Sequence, residues 1–232
     1  MTKLTRTFLC ATALFFGLCS LGLAQGFGHF SVGPAIGNFD KLQRDLQQYQ
    51  FLGYDFALAK TGVSVGGGGF AIINSEILLG GNGFGSMFGS SLNNRGEASL
   101  STGAGFFNLG YALHNKDGWL LYPYGGVGYS GTILELTNSS PTPFALSASH
   151  SLQPGETKEY SAGGIALEGG FGLKKLIARE GHKSGFIFGI DFGTYGMPAL
   201  QDWEHDGQEI TGITSTRGQA YYVKFSFGGG FF

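Results

Sequence analysis

Cysteine is confined to the start of the chain: Cys10 and Cys19 are the only two among 232 residues. The remainder has no thiol, which excludes a disulfide framework or cysteine-ligated metal there. Charge is scarce as well, Asp, Glu, Lys and Arg making up 13% where about 25% is usual for a soluble domain. No basic arm or stripe is present, so nucleic acid is excluded as a partner. Beyond residue 24 no apolar run approaches the roughly 20 residues a membrane-crossing helix needs. Yet hydrophobic residues are 42% and mean hydropathy is +0.07. The apolar content is dispersed, not blocked.

Glycine and phenylalanine are abundant, at 43 and 22 residues. No strict Gly-X-Y period exists, which excludes collagen. At the N-terminus, Lys3 and Arg6 precede an apolar stretch from Phe8 to Leu23, and Gly22, Leu23 and Ala24 form a small-x-small cleavage site. This reads as a signal peptide over residues 1–24 and a mature domain over 25–232. Cleavage removes two positive charges, taking the formal net charge from -2 to about -4.

In the mature part apolar residues recur at every second position between turn-forming clusters, the pattern of β-strands with two unlike faces. Eight strands are expected: Phe27–Gly37, Phe56–Ile73, Ile77–Phe88, Ala98–Leu113, Trp119–Leu136, Gly164–Leu176, Phe186–Tyr195 and Gln219–Phe232. Ile165, Leu167, Phe171 and Leu173 alternate with Ala166, Glu168, Gly170, Gly172 and Lys174. Phe186, Phe188, Ile190 and Phe192 alternate with Ile187, Gly189, Asp191 and Gly193. A solvated face would be dominated by Lys, Glu and Thr. This one is mostly Gly, Ser and Ala, as suits a narrow enclosed lumen.

Connections alternate strictly between short and long. The short ones are Asn74–Glu76, His114–Gly118 and about Ile177–Gly185. The long ones are about Asn38–Asp55, Gly89–Glu97, Thr137–Gly163 and Gly196–Gly218. Outer-membrane barrels have short periplasmic turns and long outside loops. Trp119, Tyr122, Tyr124 and Tyr111 are expected in an aromatic belt at the short-turn rim, with Tyr195 and Tyr221 at the other.

The last segment carries a resemblance. Tyr221, Val223, Phe225, Phe227 and Phe231 share one parity and the chain ends on Phe232. This resembles the terminal strand of bacterial outer-membrane proteins, which implies an insertion signal at Phe231 and Phe232 read by the barrel-assembly machinery. A bulge over Gly228–Gly230 would place Phe232 on the signal's parity; otherwise Phe231 is the effective terminal aromatic. The mature chain as a whole resembles small eight-stranded outer-membrane barrels of the OmpA and OmpX type. The resemblance implies an all-β, closed antiparallel transmembrane barrel in the outer membrane of a Gram-negative bacterium, in contact with outer-membrane lipid and lipopolysaccharide.

Glu168, Asp191 and Lys224 fall on the non-apolar parity of three successive strands and are expected to meet in the lumen as a charge network, since isolated charge in a dry interior is costly. A gating or catalytic role is the alternative. Asn38 is placed to cap a short helix with Leu42, Leu46 and Tyr49 on one face, either a lid over the barrel mouth or a partner-binding helix. Trp203, in an acidic loop from Asp202 to Glu209, is a candidate exposed contact. That loop matches no calcium motif. No catalytic, cofactor or metal residues are assigned. The leading expectation is a non-enzymatic barrel whose surface loops serve envelope integrity or surface interaction. Two alternatives remain: an integral outer-membrane lipid-modifying enzyme, and a secreted lipocalin-like ligand-binding barrel whose apolar residues point inward.

Overall fold

A computed structural model describes residues 25–48, 57–92, 95–147, 150–179, 184–198, 203–210 and 219–231. The expected signal peptide, both cysteines, Tyr49, Asp202 and Phe232 lie outside the described residues. Eight long strands carry the fold: β1 (Gln25–Asn38), β2 (Thr61–Ile73), β3 (Ile77–Leu92), β4 (Gly96–Tyr111), β5 (Trp119–Asn138), β6 (Thr157–Ala178), β7 (Ser184–Gly196) and β8 (Gln219–Phe231). Each pairs antiparallel with its neighbours in sequence, and β8 pairs with β1, so the sheet closes.

The register fixes the cylinder's shape. Phe27 pairs with Phe70, then the row passes through Gly80, Asn108, Gly126, Glu168, Tyr195 and Ala220 and returns to β1 at Gly37. The row therefore comes back ten residues further along. A shear of ten over eight strands tilts them by about 40°. The shortest strands have 13 residues. At that tilt they rise about 33 Å, enough to cross a hydrocarbon core of about 30 Å.

The two faces of the wall divide by parity. Phe186, Phe188 and Phe192 are 53%, 45% and 50% exposed on the outside, as are Ile165, Leu167, Phe171 and Leu173. A continuous apolar belt of this kind exceeds the few hundred Å² that soluble monomers expose, and its outward direction is the reverse of a lipocalin's. No helix among the described residues is long and apolar enough to cross a membrane; the strands make the crossing.

Short turns follow from local chemistry. Asn74 and Ser75, then Asp117 and Gly118, take positive φ in pairs, the backbone that two-residue hairpin turns require. Two strand starts differ most from expectation. β2 starts at Thr61, because residues 57–60 are not extended into the sheet. β6 starts at Thr157, seven residues before Gly164, because Thr157 pairs with Thr137 of β5 and their hydroxyls bond at 2.9 Å. Glu135, Lys158 and Glu159 masked this pairing in the sequence. The third long connection shrinks to 139–156, and β4 remains paired with β5 up to Asn138, as β5 does with β6 up to Thr137.

The lumen is filled in tiers. At the short-turn end Phe27, Phe70, Ile72, Leu78, Leu120 and Ile187 form an apolar plug. Mid-height, Phe84, Phe106, Tyr195 and Tyr222 surround polar side chains. At the long-loop end helix α1 (Asp40–Gln48) lies across the mouth. Its first free N–H, from Asp40, donates to Asn38 Oδ1 at 3.3 Å. Leu42 and Leu46 are buried against Phe88, Leu100, Leu134 and Leu136, and the Leu58 N–H donates to Gln43 Oε1 at 3.3 Å. The lid arrangement is thus the one adopted.

Candidate functional site: the luminal charge cluster

Glu168 on β6, Asp191 on β7 and Lys224 on β8 all point inward, each no more than 6% exposed. Asp191 and Lys224 are direct register partners. The ion pair that forms is a different one. Lys174, on β6 and fully buried, places Nζ at 2.5 Å from Asp191 Oδ2 and at 2.5 Å from Ser226 Oγ. Tyr122 OH donates to Asp191 Oδ1 at 3.4 Å.

Glu168 is held by hydrogen bonds instead of by a lysine. Asn82 Nδ2 donates to its two oxygens at 3.2 and 3.0 Å, and Tyr222 OH donates to Oε1 at 2.5 Å. Tyr222 and Tyr124 share a further bond of 2.8 Å between hydroxyls. Lys224 makes no ion pair among the described residues. Its ammonium lies 3.1 Å from the ring centre of Phe84 and 3.9 Å from that of Tyr222, where the negative faces of the rings offset part of its desolvation.

The cluster carries two carboxylates and two ammoniums, so it is balanced without an ion. Sequence reasoning placed Lys174 on the luminal parity but left it out of the network. The register recovers it: Asp191 pairs with Gly172, two residues away on the same face. Tyr122, Tyr124 and Tyr195, expected at the rims, are inward and at most 8% exposed. Tyr122 and Tyr124 have the opposite parity to Trp119, and their buried hydroxyls are compensated by hydrogen bonds to Asp191 and to the Tyr222 hydroxyl respectively. Trp119, Tyr111 and Tyr221 do face outward.

Glycine makes room for these rings. A Cβ on Gly172 would collide with the Tyr122 ring, and one on Gly193 with the Tyr222 hydroxyl. What space remains is small. A void of about 10 Å³ is lined by His29, Ser31, Asn82, Asp191, Tyr222 and Lys224, room for about one water.

Trp203 is fully buried among the mouth residues, so it is no exposed contact. It precedes a small hairpin, Glu204–His205 paired with Gln208–Glu209, that folds onto β6 through Glu204 and Ser161. Among the described residues no three His, Cys, Asp or Glu gather as a metal site. On β8 the register runs without a shift through Gly228–Gly230, so no bulge resets it. Phe231 stays in the outward row with Tyr221, Phe225 and Phe227.

No family model matches the chain, and no curated protein matches it in sequence. Among solved structures it is similar to Ail, the attachment invasion locus protein of Yersinia pestis, at 11% identity and a TM-score of 0.46, over 89% of this chain and 98% of that one. A second structure of Ail, in complex with the heparin analogue sucrose octasulfate, aligns over the same shares at 13% identity and a TM-score of 0.46. The outer membrane protein OprG from Pseudomonas aeruginosa aligns at 8% identity and a TM-score of 0.39, over 90% and 96% of the two chains. At these values the assignment of a closed eight-stranded barrel rests on the chain's own register and outward apolar belt.

Proposed function

We propose that this chain is a non-enzymatic outer-membrane β-barrel that anchors a folded head of long loops at the cell surface, for envelope integrity or surface interaction. One observation carries the reading: a closed barrel with a greasy outer wall has a solid interior and a structured mouth. Its charges are held by the barrel's own side chains, and a void of about 10 Å³ beside them admits no substrate. That argues against a lipid-modifying centre in the lumen. The elaborated part is the long-loop end. There Asn138, fully buried, accepts from Ser140 N–H and donates to the carbonyls of Thr142 and Leu152 at 3.0 and 3.1 Å, fastening the 139–156 connection.

Lipopolysaccharide is the expected neighbour of the outer rim. The outward row ending at Phe231 supports recognition by the barrel-assembly machinery during insertion. The test is membrane fractionation with and without boiling, followed by labelling of intact cells in the 139–156 connection. A detergent-dependent, heat-modifiable band and surface labelling are expected. Solubility without detergent, or a connection that labels only after lysis, would refute the reading.

A further inference from the structure

We infer that His29, Asn82 and Lys224 hold one resident water molecule in the lumen, and that it pins the first strand of the barrel to the last. The inference needs the closed barrel and not the proposed function. The void of about 10 Å³ brings together His29 on β1, Asn82 on β3 and Lys224 on β8, with Asp191 and Tyr222 completing its wall.

Each of the three brings a polar group that the protein itself does not satisfy. Asn82 gives its Nδ2 to Glu168. A carboxylate only accepts, which fixes the nitrogen end of the amide. The Oδ1 at the other end is buried without a donor. The His29 ring stacks on Phe27 at 5.8 Å between centres, and its Nδ1 is buried without a partner. Lys224 is 4% exposed, and its ammonium meets the ring faces of Phe84 and Tyr222. Ring faces replace hydration in part and leave N–H groups to serve. Buried polar groups without a hydrogen bond are costly, and ordered water is the usual remedy where protein supplies none.

The mixture of signs selects what binds. Lys224 opposes a cation. Asn82 Oδ1 and the Asp191 carboxylate oppose an anion, and the cluster's two carboxylates and two ammoniums already balance. The volume is about that of one water and excludes any organic ligand. What fits is a neutral molecule that both donates and accepts. Water accepts from Lys224 Nζ and donates to Asn82 Oδ1 and His29 Nδ1, the usual complement of about three bonds for a buried water. The ammonium across the void favours a lone pair over an N–H on the facing ring nitrogen. The His29 proton therefore sits on Nε2.

Position gives the water a structural task. β1 and β8 are the first and last of the long strands, and their pairing closes the cylinder. The water joins their luminal side chains across that seam. Through Asn82 it also ties β3 and the Glu168 arm of the network to Lys224.

Solid-state NMR of the mature barrel, ¹⁵N-labelled and in lipid bilayers, reads the site directly. Cross-peaks from water to Lys224 Nζ and to His29 are expected, with the Nδ1 shift of an unprotonated nitrogen. A Lys224 without a water cross-peak, or a proton on Nδ1, overturns the inference. His29→Phe keeps the ring on Phe27 and removes the acceptor. The Lys224 cross-peak should fall several-fold, and amide exchange across β1–β8 should quicken several-fold while that across β4–β5 is unaltered. A cross-peak and seam exchange equal to the wild type overturn the pin. Crystals grown in bromide separate water from an anion. Density in the void without anomalous signal is expected; bromide there, or no density, overturns the assignment. Should His29→Phe give no heat-modifiable band, the wild-type spectra and the bromide crystal decide.

Discussion

Lys174 and Asp191 lie on adjacent strands, two residues out of register, and join in a 2.5 Å ion pair at the centre of the lumen. The nearer partner by register, Lys224, is left to the rings of Phe84 and Tyr222. An ion pair with no access to bulk water is held by its geometry, and losing one member leaves the other charge stranded. Lys174→Met is therefore expected to destabilise the barrel by about 3–5 kcal/mol. The double variant Lys174→Met/Asp191→Leu should recover most of that loss. Urea unfolding in detergent, followed by the gel shift, measures both; a single variant as stable as the wild type would contradict the assignment.

Tyr222 donates to Glu168 and also bonds Tyr124. Tyr222→Phe keeps the ring under Lys224 and removes only the hydroxyl. The expected cost is about 1–3 kcal/mol, the penalty for a buried acceptor that loses its donor. Asn82 still serves Glu168, so the loss should be smaller than in Lys174→Met. The same unfolding experiment ranks the two.

Much of this cylinder was legible in period-two alternation. The outward positions of Phe186, Phe188 and Phe192 and the inward ones of Glu168, Asp191 and Lys224 follow from parity, since a one-residue slip would turn every side chain over. Parity says which face a residue joins but not its height. The pairing of Lys174 with Asp191 depends on the shear of the closed sheet, which emerges only from the strand-to-strand register. Tyr122 and Tyr124 were misplaced because proximity to a rim was given more weight than their parity. Trp203 was misread because its acidic neighbours made the whole segment look solvated, while the hairpin after it folds back onto β6 and buries the indole.

Helix α1 closes the mouth with Leu42 and Leu46, both buried against the same cluster as Trp203. Leu42→Asp puts a charge where no partner exists among the described residues, so the helix should lift while the barrel below stays intact. The chain has two tryptophans, and a Trp119→Phe background isolates Trp203. In it, Leu42→Asp should shift the emission to the red and make it quenchable by iodide, with an unaltered gel shift. Emission that stays blue and protected would show that the lid does not depend on this contact.

Glu156 ties down the far end of the 139–156 connection. Its carboxylate accepts from the Gln153 N–H at 2.6 Å and faces Lys158 at 3.4 Å. The backbone bond first, and the lysine second, hold its pKa below the ordinary glutamate value. A depressed folded-state pKa means the interaction stabilises fully above the unfolded-state value, about 4.3 for a free glutamate, and is lost as pH falls through the folded one. The side chain is on the surface, so the effect is local. The Gln153 amide resonance should therefore hold steady down to the ordinary carboxylate range and move only below it. Glu156→Gln should remove that acid step and leave the unfolding midpoint of the barrel unaltered. A Gln153 amide that titrates at the ordinary glutamate value, or an acid step that survives in Glu156→Gln, would mean that the bond does not form in solution.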